Sequence, residues 1–130
     1  MDTKKMLFAI IGGFVAMFAL SGLWHMLIMA DFYEANSSST AFAEPKMQFI
    51  VLGYLILALI MAYIYPLGYK GGSSVTEGLK FGLIIGLLWI LPIGVVLYGV
   101  MESSGTLLVV DAIWHIVEQG IGGVVVGLVY

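Results

Sequence analysis

Four long apolar runs constrain this chain more than any other feature of its sequence. They cover residues 6–30, 47–67, 79–101 and 107–130, and the joints between them are rich in Ser, Gly, Asn and charged residues. A helix of roughly 20 apolar residues is long enough to cross the hydrocarbon core of a bilayer. The sequence therefore predicts a single all-α domain over residues 1–130, an integral membrane four-helix bundle surrounded by lipid.

The composition agrees with a membrane protein and excludes several functions. The chain is 62% hydrophobic and 10% charged, whereas a soluble domain is typically about half apolar and about a quarter charged. It contains no cysteine, which excludes disulfides, thiolate metal sites and cysteine nucleophiles. Its few basic residues form no patch for a nucleic-acid backbone, so nucleic-acid binding is excluded. The sequence contains no HExxH motif, Gly-rich phosphate loop or Ser-His-Asp arrangement, and we expect no catalytic activity.

The lysines predict the orientation of the helices. Lys4 and Lys5 precede the first run, and Lys70 and Lys80 flank the joint between the second and third runs. Only Lys46 lies at the other end of the helices. Since basic residues are enriched in cytoplasmic loops, this distribution predicts that both termini lie in the cytoplasm.

Small residues recur four positions apart within the runs, which places them on one face of a helix. Helices in lipid associate through close contacts at such faces and through interhelical hydrogen bonds. Three pairs have this spacing: Gly12 and Ala16, Gly82 and Gly86, and Gly123 and Gly127. These faces either pack the bundle internally or bind another subunit, and the sequence leaves both alternatives open.

The last run contains four polar residues, and the first run contains two at a similar predicted depth. The six are Ser21, His25, Asp111, His115, Glu118 and Gln119. Measured from the outer ends of their runs, His25 lies about 8 Å deep and Asp111, His115 and Glu118 lie about 6, 12 and 16 Å deep.

The polar residues of each run also share a helix face. Asp111, His115 and Glu118 fall within about 60° of one another, with Gln119 at the edge of that face. Ser21 and His25 form a similar row. The two rows would face each other if the first and last runs are neighbours, as we expect in a compact bundle.

Polar groups are costly in lipid and normally face the bundle interior, where they pair with one another. Four interpretations follow. The cluster holds the helices in register, or it binds a partner subunit. His25 and His115 ligate a haem, a chlorophyll or a metal ion, with Asp111 orienting one imidazole from outside the coordination sphere. Alternatively, Glu118, His115 and Asp111 form a proton or ion path.

Two segments, "GLWHMLIMADFYEA" and "LLVVDAIWHIVEQGIGGVVVGL", resemble a domain-of-unknown-function family of small four-helix bacterial membrane proteins. In that family the first helix ends in a Gly-x-Trp-aromatic element, and the last opens with an apolar-Asp-Ala-x-aromatic-His element. The matching positions here are Gly22, Trp24, Asp111, Ala112, Trp114 and His115. His25 stands where the family more often has tyrosine. The resemblance implies the fold and a bacterial inner-membrane location, and it implies no activity.

Three functional hypotheses follow from the sequence. The first is a non-catalytic accessory or scaffolding subunit, whose partners are other membrane subunits or further copies of itself. The second is a small proton- or ion-coupled transporter that uses Glu118, His115 and Asp111. The third is a haem or pigment protein that uses His25 and His115.

Overall fold

The computed structural model describes residues 2–37, 46–100 and 104–130, and every element of regular structure in these ranges is helical. The elements are α1 (Thr3–Gly22), a π-helical segment (Leu23–Ile28), α2 (Ala30–Asn36), α3 (Met47–Gly68), α4 (Ser74–Val100) and α5 (Gly105–Val129). Four helices, the first being α1 with its π-helical continuation, are long and apolar enough to cross a membrane. The all-α prediction and the four membrane-length helices are thus confirmed. The predicted end of the third run, residue 101, lies outside the described residues.

Two of the helices have a polar N-cap residue just before the apolar pattern starts. The Asp2 carboxylate accepts from the backbone N–H of Lys4 at 2.9 Å and of Lys5 at 3.3 Å. The Ser104 hydroxyl oxygen accepts from the Leu107 backbone N–H at 3.0 Å. Such caps satisfy N–H groups that have no partner within the helix. They explain why α1 and α5 begin earlier than the predicted runs.

The helix α5 is the most enclosed element of the fold. It packs against α4 on one side and α1 on the other, while α3 packs mainly against α1. The predicted proximity of the first and last runs is therefore confirmed. Lys5 Nζ donates to the Tyr130 backbone carbonyl oxygen at 3.1 Å, so the start of α1 and the end of α5 lie together. We call this the terminal end of the bundle, and the opposite end, at Met29 and Ser104, the outer end.

The α4 and α5 backbones are in direct contact along a row of glycines. A Cβ atom added at Gly82 would overlap the carbonyl oxygen of Gln119, and one added at Gly86 would lie 2.7 Å from the Ile116 Cα. These distances leave no room for a side chain, and only glycine allows so close an approach. Gly82 and Gly86 therefore pack the bundle internally.

The other predicted small residues also lie within the molecule. A Cβ at Gly127 would lie 2.5 Å from the Ser74 carbonyl oxygen, and one at Gly12 would lie 3.1 Å from a Val125 methyl. Ala16 is half-buried on α1. The α4–α5 contact continues at Gly123 and Gly78, where a Cβ atom added at Gly123 would overlap the Gly78 carbonyl oxygen. Gly78 was not among the predicted small residues.

A core of mainly apolar side chains, with Tyr65 among them, fills the terminal half of the bundle. Its completely buried members are Ala9, Met17, Ala58, Met61, Ala62 and Val126. The Met17 side chain lies directly against α5, where a Cβ added at Gly122 would come within 2.6 Å of its Cγ and Sδ atoms. The polar side chains buried between α1 and α5 lie beyond this core, in the outer half, whereas Lys5 lies exposed at the terminal end.

Candidate functional site

The structure brings the six polar residues of the first and last runs into one cluster between α1 and α5. They are Ser21, His25, Asp111, His115, Glu118 and Gln119. Two tyrosines from other elements join them: Tyr33 from α2 and Tyr54 from α3. We call these eight residues the polar cluster.

The Asp111 carboxylate lies against both histidines. His25 Nε2 is 3.4 Å from Asp111 Oδ1, and His115 Nε2 is 3.7 Å from Asp111 Oδ2. The hydroxyl of Tyr33 donates to Oδ1 at 2.8 Å. The side chains of His25 and Asp111 are each 28% exposed and that of His115 is 13% exposed, so this part of the cluster is partly open at the surface of the bundle.

Glu118 lies at the bottom of the cluster and is completely buried. Its Oε2 atom accepts from His115 Nδ1 at 2.9 Å and from Gln119 Nε2 at 3.1 Å. The hydroxyl of Tyr54 lies 3.2 Å from the same oxygen and 2.7 Å from Ser21 Oγ, and its single proton serves one of the two.

The contacts close into a ring, because Ser21 also meets His25. The Ser21 carbonyl oxygen accepts from His25 Nδ1 at 3.0 Å. One can therefore pass from Asp111 to His25, Ser21, Tyr54, Glu118 and His115 and return to Asp111. Among the described residues, Glu118 Oε1 and Gln119 Oε1 are buried without a hydrogen-bond partner.

A π-helical turn sets the position of His25. The backbone N–H of Met29 donates to the Trp24 carbonyl oxygen at 2.8 Å, a step of five residues instead of the four of an α-helix. The wider turn changes which residues of α1 face α5 beyond Ser21. Such π-bulges occur frequently at functional sites. Sequence pattern gave no sign of it, since the apolar run continues through the segment unchanged.

Two aromatic residues that flank the histidines bring the helices together. The indole rings of Trp24 and Trp114 are stacked, and Trp24 Nε1 donates to the Tyr33 hydroxyl oxygen at 3.2 Å. The two Trp-His pairs of the sequence thus lie face to face, and the imidazole centroids of His25 and His115 are 5.9 Å apart.

Tyr33 closes the outer side of the polar cluster. Its ring centroid lies 4.6 Å from that of His25, and α2 is also tied to α5 by the Ser104 hydroxyl, which donates to Asn36 Oδ1 at 3.1 Å. Burial, followed by the hydrogen bond to Asp111, raises the pKa of Tyr33 well above its ordinary value. Tyr33 therefore remains a neutral donor to the carboxylate.

The sequence analysis missed both tyrosines as members of the site. Tyr54 could have been found as a hydroxyl within the second apolar run, at a depth where a polar atom needs a partner. Tyr33 follows the first run by three residues, where an aromatic ordinarily indicates only the membrane interface. Whether these hydroxyls reach the polar cluster depends on which helices pack together.

The polar cluster contains two carboxylates and little positive charge. Among the described residues, the two histidines are the only cationic groups within 4 Å of Asp111 or Glu118. Lys5 is at the terminal end, and Lys80 pairs with Glu77 at 3.6 Å. Positive charge in this site must come from protonated imidazoles or from a bound cation.

The geometry does not fit a macrocycle between the histidines. Both Nε2 atoms face the same carboxylate, and the adjacent Trp24 and Trp114 rings are already in stacking contact. A haem or chlorophyll ligated by His25 and His115 would have to separate both pairs. Asp111 was expected to orient one imidazole from outside the coordination sphere. Its carboxylate instead faces the Nε2 atoms of both histidines. One donor atom each from His25, Asp111 and His115 lies within 4.8 Å of the others, a spacing suited to a single ion.

Comparison with known proteins adds no assignment to this geometry. No family model, no curated protein and no solved structure matches the chain. The resemblance to a family of small bacterial membrane proteins accordingly rests on the short motifs around Trp24 and Asp111, and any function must be argued from the site.

Proposed function

We propose that this protein is an integral membrane protein that binds a cation inside its helix bundle, in the polar cluster between α1 and α5. The observation that carries the proposal is the environment of Asp111 and Glu118. Two carboxylates lie in an otherwise apolar bundle, and the described residues provide only two histidines as cationic partners. An ionised carboxylate buried in lipid is stabilised by a partner of opposite sign, and a bound cation provides one.

The proposed location is a bacterial inner membrane, with both termini in the cytoplasm. The contact of Lys5 with Tyr130 supports a common side for the two ends of the chain. The excess of lysines at that end supports the cytoplasmic assignment. The cation would then enter from the outer end, where Asp111 and His25 are partly exposed.

The shape of the polar cluster favours binding over conduction. Its polar groups end at Glu118 and Gln119, both completely buried. Beyond them, Met17 packs against Gly122, and the apolar core continues to the terminal end. Among the described residues, the buried members of this core include the hydroxyl of Tyr65 but no carboxylate or imidazole, so the transporter hypothesis would require a second conformation.

The accessory-subunit hypothesis stays a prediction, with less support than before. It rested on the glycine faces, the small extramembrane mass and the lack of catalytic motifs. Of the glycine faces, Gly82, Gly86 and Gly127 are in contact between α4 and α5. No specific feature of the described residues favours a partner protein over lipid on the remaining apolar surface.

Thermal unfolding of the purified protein in nanodiscs tests the proposal. The protein is first treated with chelator and then measured with Na⁺, K⁺, Mg²⁺, Ca²⁺, Mn²⁺ or Zn²⁺ at constant ionic strength. At least one cation should raise the midpoint with increasing concentration, since ligand at 100 times its Kd stabilises a folded state by about 2.7 kcal/mol. Asp111→Asn should abolish this shift, whereas Asp31→Asn, at an exposed acidic position on α2, should retain it. The proposal fails if no cation stabilises the wild type more than Asp111→Asn.

A further inference from the structure

We infer that the cation is a divalent first-row transition-metal ion, ligated by Nε2 of His25, Nε2 of His115 and the Asp111 carboxylate. The inference rests on the proposed function and specifies the ion and its ligands. It is carried by the direction in which the imidazole nitrogens face, by the distances between the donor atoms, and by the charge of the surrounding groups.

The hydrogen bonds assign the proton of each imidazole. His25 Nδ1 faces the Ser21 carbonyl oxygen at 3.0 Å, and His115 Nδ1 faces Glu118 Oε2 at 2.9 Å. A carbonyl oxygen is an acceptor, and so is the oxygen of an ionised carboxylate, so each Nδ1 carries the hydrogen when Glu118 is ionised. In a neutral imidazole the Nε2 atom then presents a lone pair. Both lone pairs face Asp111, which is itself an acceptor, and one donor atom of each of the three residues lies within 4.8 Å of the others.

The distances to Asp111 fit ligands around an ion better than hydrogen-bonded pairs. The two Nε2–carboxylate distances are 3.4 and 3.7 Å, longer than the roughly 2.7–3.2 Å of ordinary N–H···O bonds. Tetrahedral ligands with bonds of about 2.0–2.1 Å lie about 3.3 Å from one another. A small inward movement of these side chains would therefore complete the coordination.

Each proposed ligand has the outer partner that metal ligands ordinarily have. Histidines that bind metals usually donate their other N–H to a carboxylate or a backbone carbonyl, which fixes the ring and increases its basicity. Here Glu118 and the Ser21 carbonyl occupy those positions. The Asp111 carboxylate is likewise held, by the hydroxyl of Tyr33 at 2.8 Å.

The donor set and its charge indicate the class of ion. Two imidazole nitrogens and one carboxylate suit zinc, iron, cobalt, nickel or copper, whereas Mg²⁺ and Ca²⁺ prefer shells made of oxygen. A divalent ion would also balance the two negative charges of Asp111 and Glu118. A monovalent ion would leave one of them uncompensated.

The described residues provide three protein ligands, fewer than the four of a closed structural zinc site. The remaining position would hold water or a small oxygen ligand, because His25 and Asp111 are partly exposed toward the outer end. A position of this kind allows the bound ion to exchange ligands with the aqueous phase.

Titration with Co²⁺ tests the inference, since this ion reports its ligands through visible absorption bands. Chelator-treated protein in nanodiscs should develop these bands up to one equivalent of Co²⁺, and Zn²⁺ should displace the ion. His25→Gln and His115→Gln should each weaken binding at least tenfold. Glu118→Gln should weaken it about 10- to 100-fold while leaving the bands in place, as expected for a partner behind a ligand.

X-ray absorption of the zinc-loaded wild type covers the case in which the histidine variants do not fold. The expected signal is that of two imidazole ligands at about 2.0–2.1 Å. Binding of Na⁺, Mg²⁺ or Ca²⁺ with no response to Co²⁺ or Zn²⁺ would overturn the inference and leave the proposed function intact. Co²⁺ binding unchanged in both histidine variants, or a zinc spectrum without imidazole, would also overturn it. If no cation binds at all, the proposed function fails as well.

Discussion

The indole rings of Trp24 and Trp114 lie parallel within 2°, with their centroids 4.3 Å apart. Each tryptophan directly precedes one of the two histidines in the sequence. The stack therefore joins α1 to α5 at the level of the polar cluster. It holds the helices close enough for His25 and His115 to meet the same carboxylate, and it does so without using either imidazole.

Removing one ring of this stack should separate the two histidines. We expect Trp114→Ala to lower the free energy of unfolding by at least about 1 kcal/mol more than Trp89→Ala, because an aromatic pair contributes about 0.5–1.5 kcal/mol beyond its burial. Trp89 is the matched control, since 47% of it is exposed. Denaturant unfolding in mixed micelles measures both values. Equal losses in the two variants would show that the stack contributes nothing specific.

Tyr33→Phe should weaken cation binding without removing a ligand. The variant loses the 2.8 Å hydrogen bond to Asp111 Oδ1 and keeps the ring next to His25. Hydrogen bonds to charged groups contribute about 1–2 kcal/mol at such a partly exposed site, which corresponds to a roughly 5- to 30-fold increase in Kd. Isothermal titration with Co²⁺ gives the value. Tyr63→Phe, at an exposed position on α3, should bind as the wild type does, and a loss shared by both variants would contradict the assigned role.

The glycine contact between α4 and α5 predicts a difference between two glycine substitutions. Gly82→Ala should destabilise the bundle by about 1–3 kcal/mol, because the new Cβ would overlap the Gln119 carbonyl oxygen and force the backbones apart. Gly53→Ala, where nothing lies within 4 Å, should be neutral or stabilising by up to about 1 kcal/mol. Thermal unfolding of both variants checks this. A Gly82→Ala protein as stable as the wild type would rule out the close backbone contact.

Reconstituted wild-type protein should not increase the permeability of liposomes to Zn²⁺. The polar cluster ends at Glu118 and Gln119, and the contact of Met17 with Gly122 separates it from the core of the terminal half, whose buried members in the described part of the chain include no carboxylate or imidazole. A zinc-sensitive dye inside the liposomes reports entry, with protein-free liposomes and Asp111→Asn as controls. Uptake by the wild type alone would favour the transporter hypothesis over a closed binding site.

The helices and the composition of the polar cluster could be predicted from sequence because both follow from simple periodicities. A rise of 1.5 Å and a turn of 100° per residue are enough to place Asp111, His115 and Glu118 on one face, with Asp111 and His115 near the depth of His25 and Glu118 deeper. The number of spans follows from the length of the apolar runs in the same way.

Features that depend on packing between helices could not be predicted. Tyr54 reaches Glu118 only because α3 packs against α1, and an apolar run does not specify its neighbours. The π-helical turn at His25 has no counterpart in the apolar pattern, which continues unchanged through Leu23–Ile28. Likewise, the spacing of Gly82 and Gly86 is the same whether they contact α5 or another chain.

The position of α5 determines which parts of the protein an ion would connect. Backbone contact at the glycines joins α5 closely to α4, while α1 packs against both α5 and α3. His25 lies on the π-helical continuation of α1, in the first half of the chain, whereas Asp111 and His115 lie on α5, in the second half. An ion held by all three would therefore act as a crosslink between the two halves of the chain, so that its arrival or departure changes how firmly the halves are joined. Tyr33, which bonds to Asp111 from α2, would transmit that change to the outer surface.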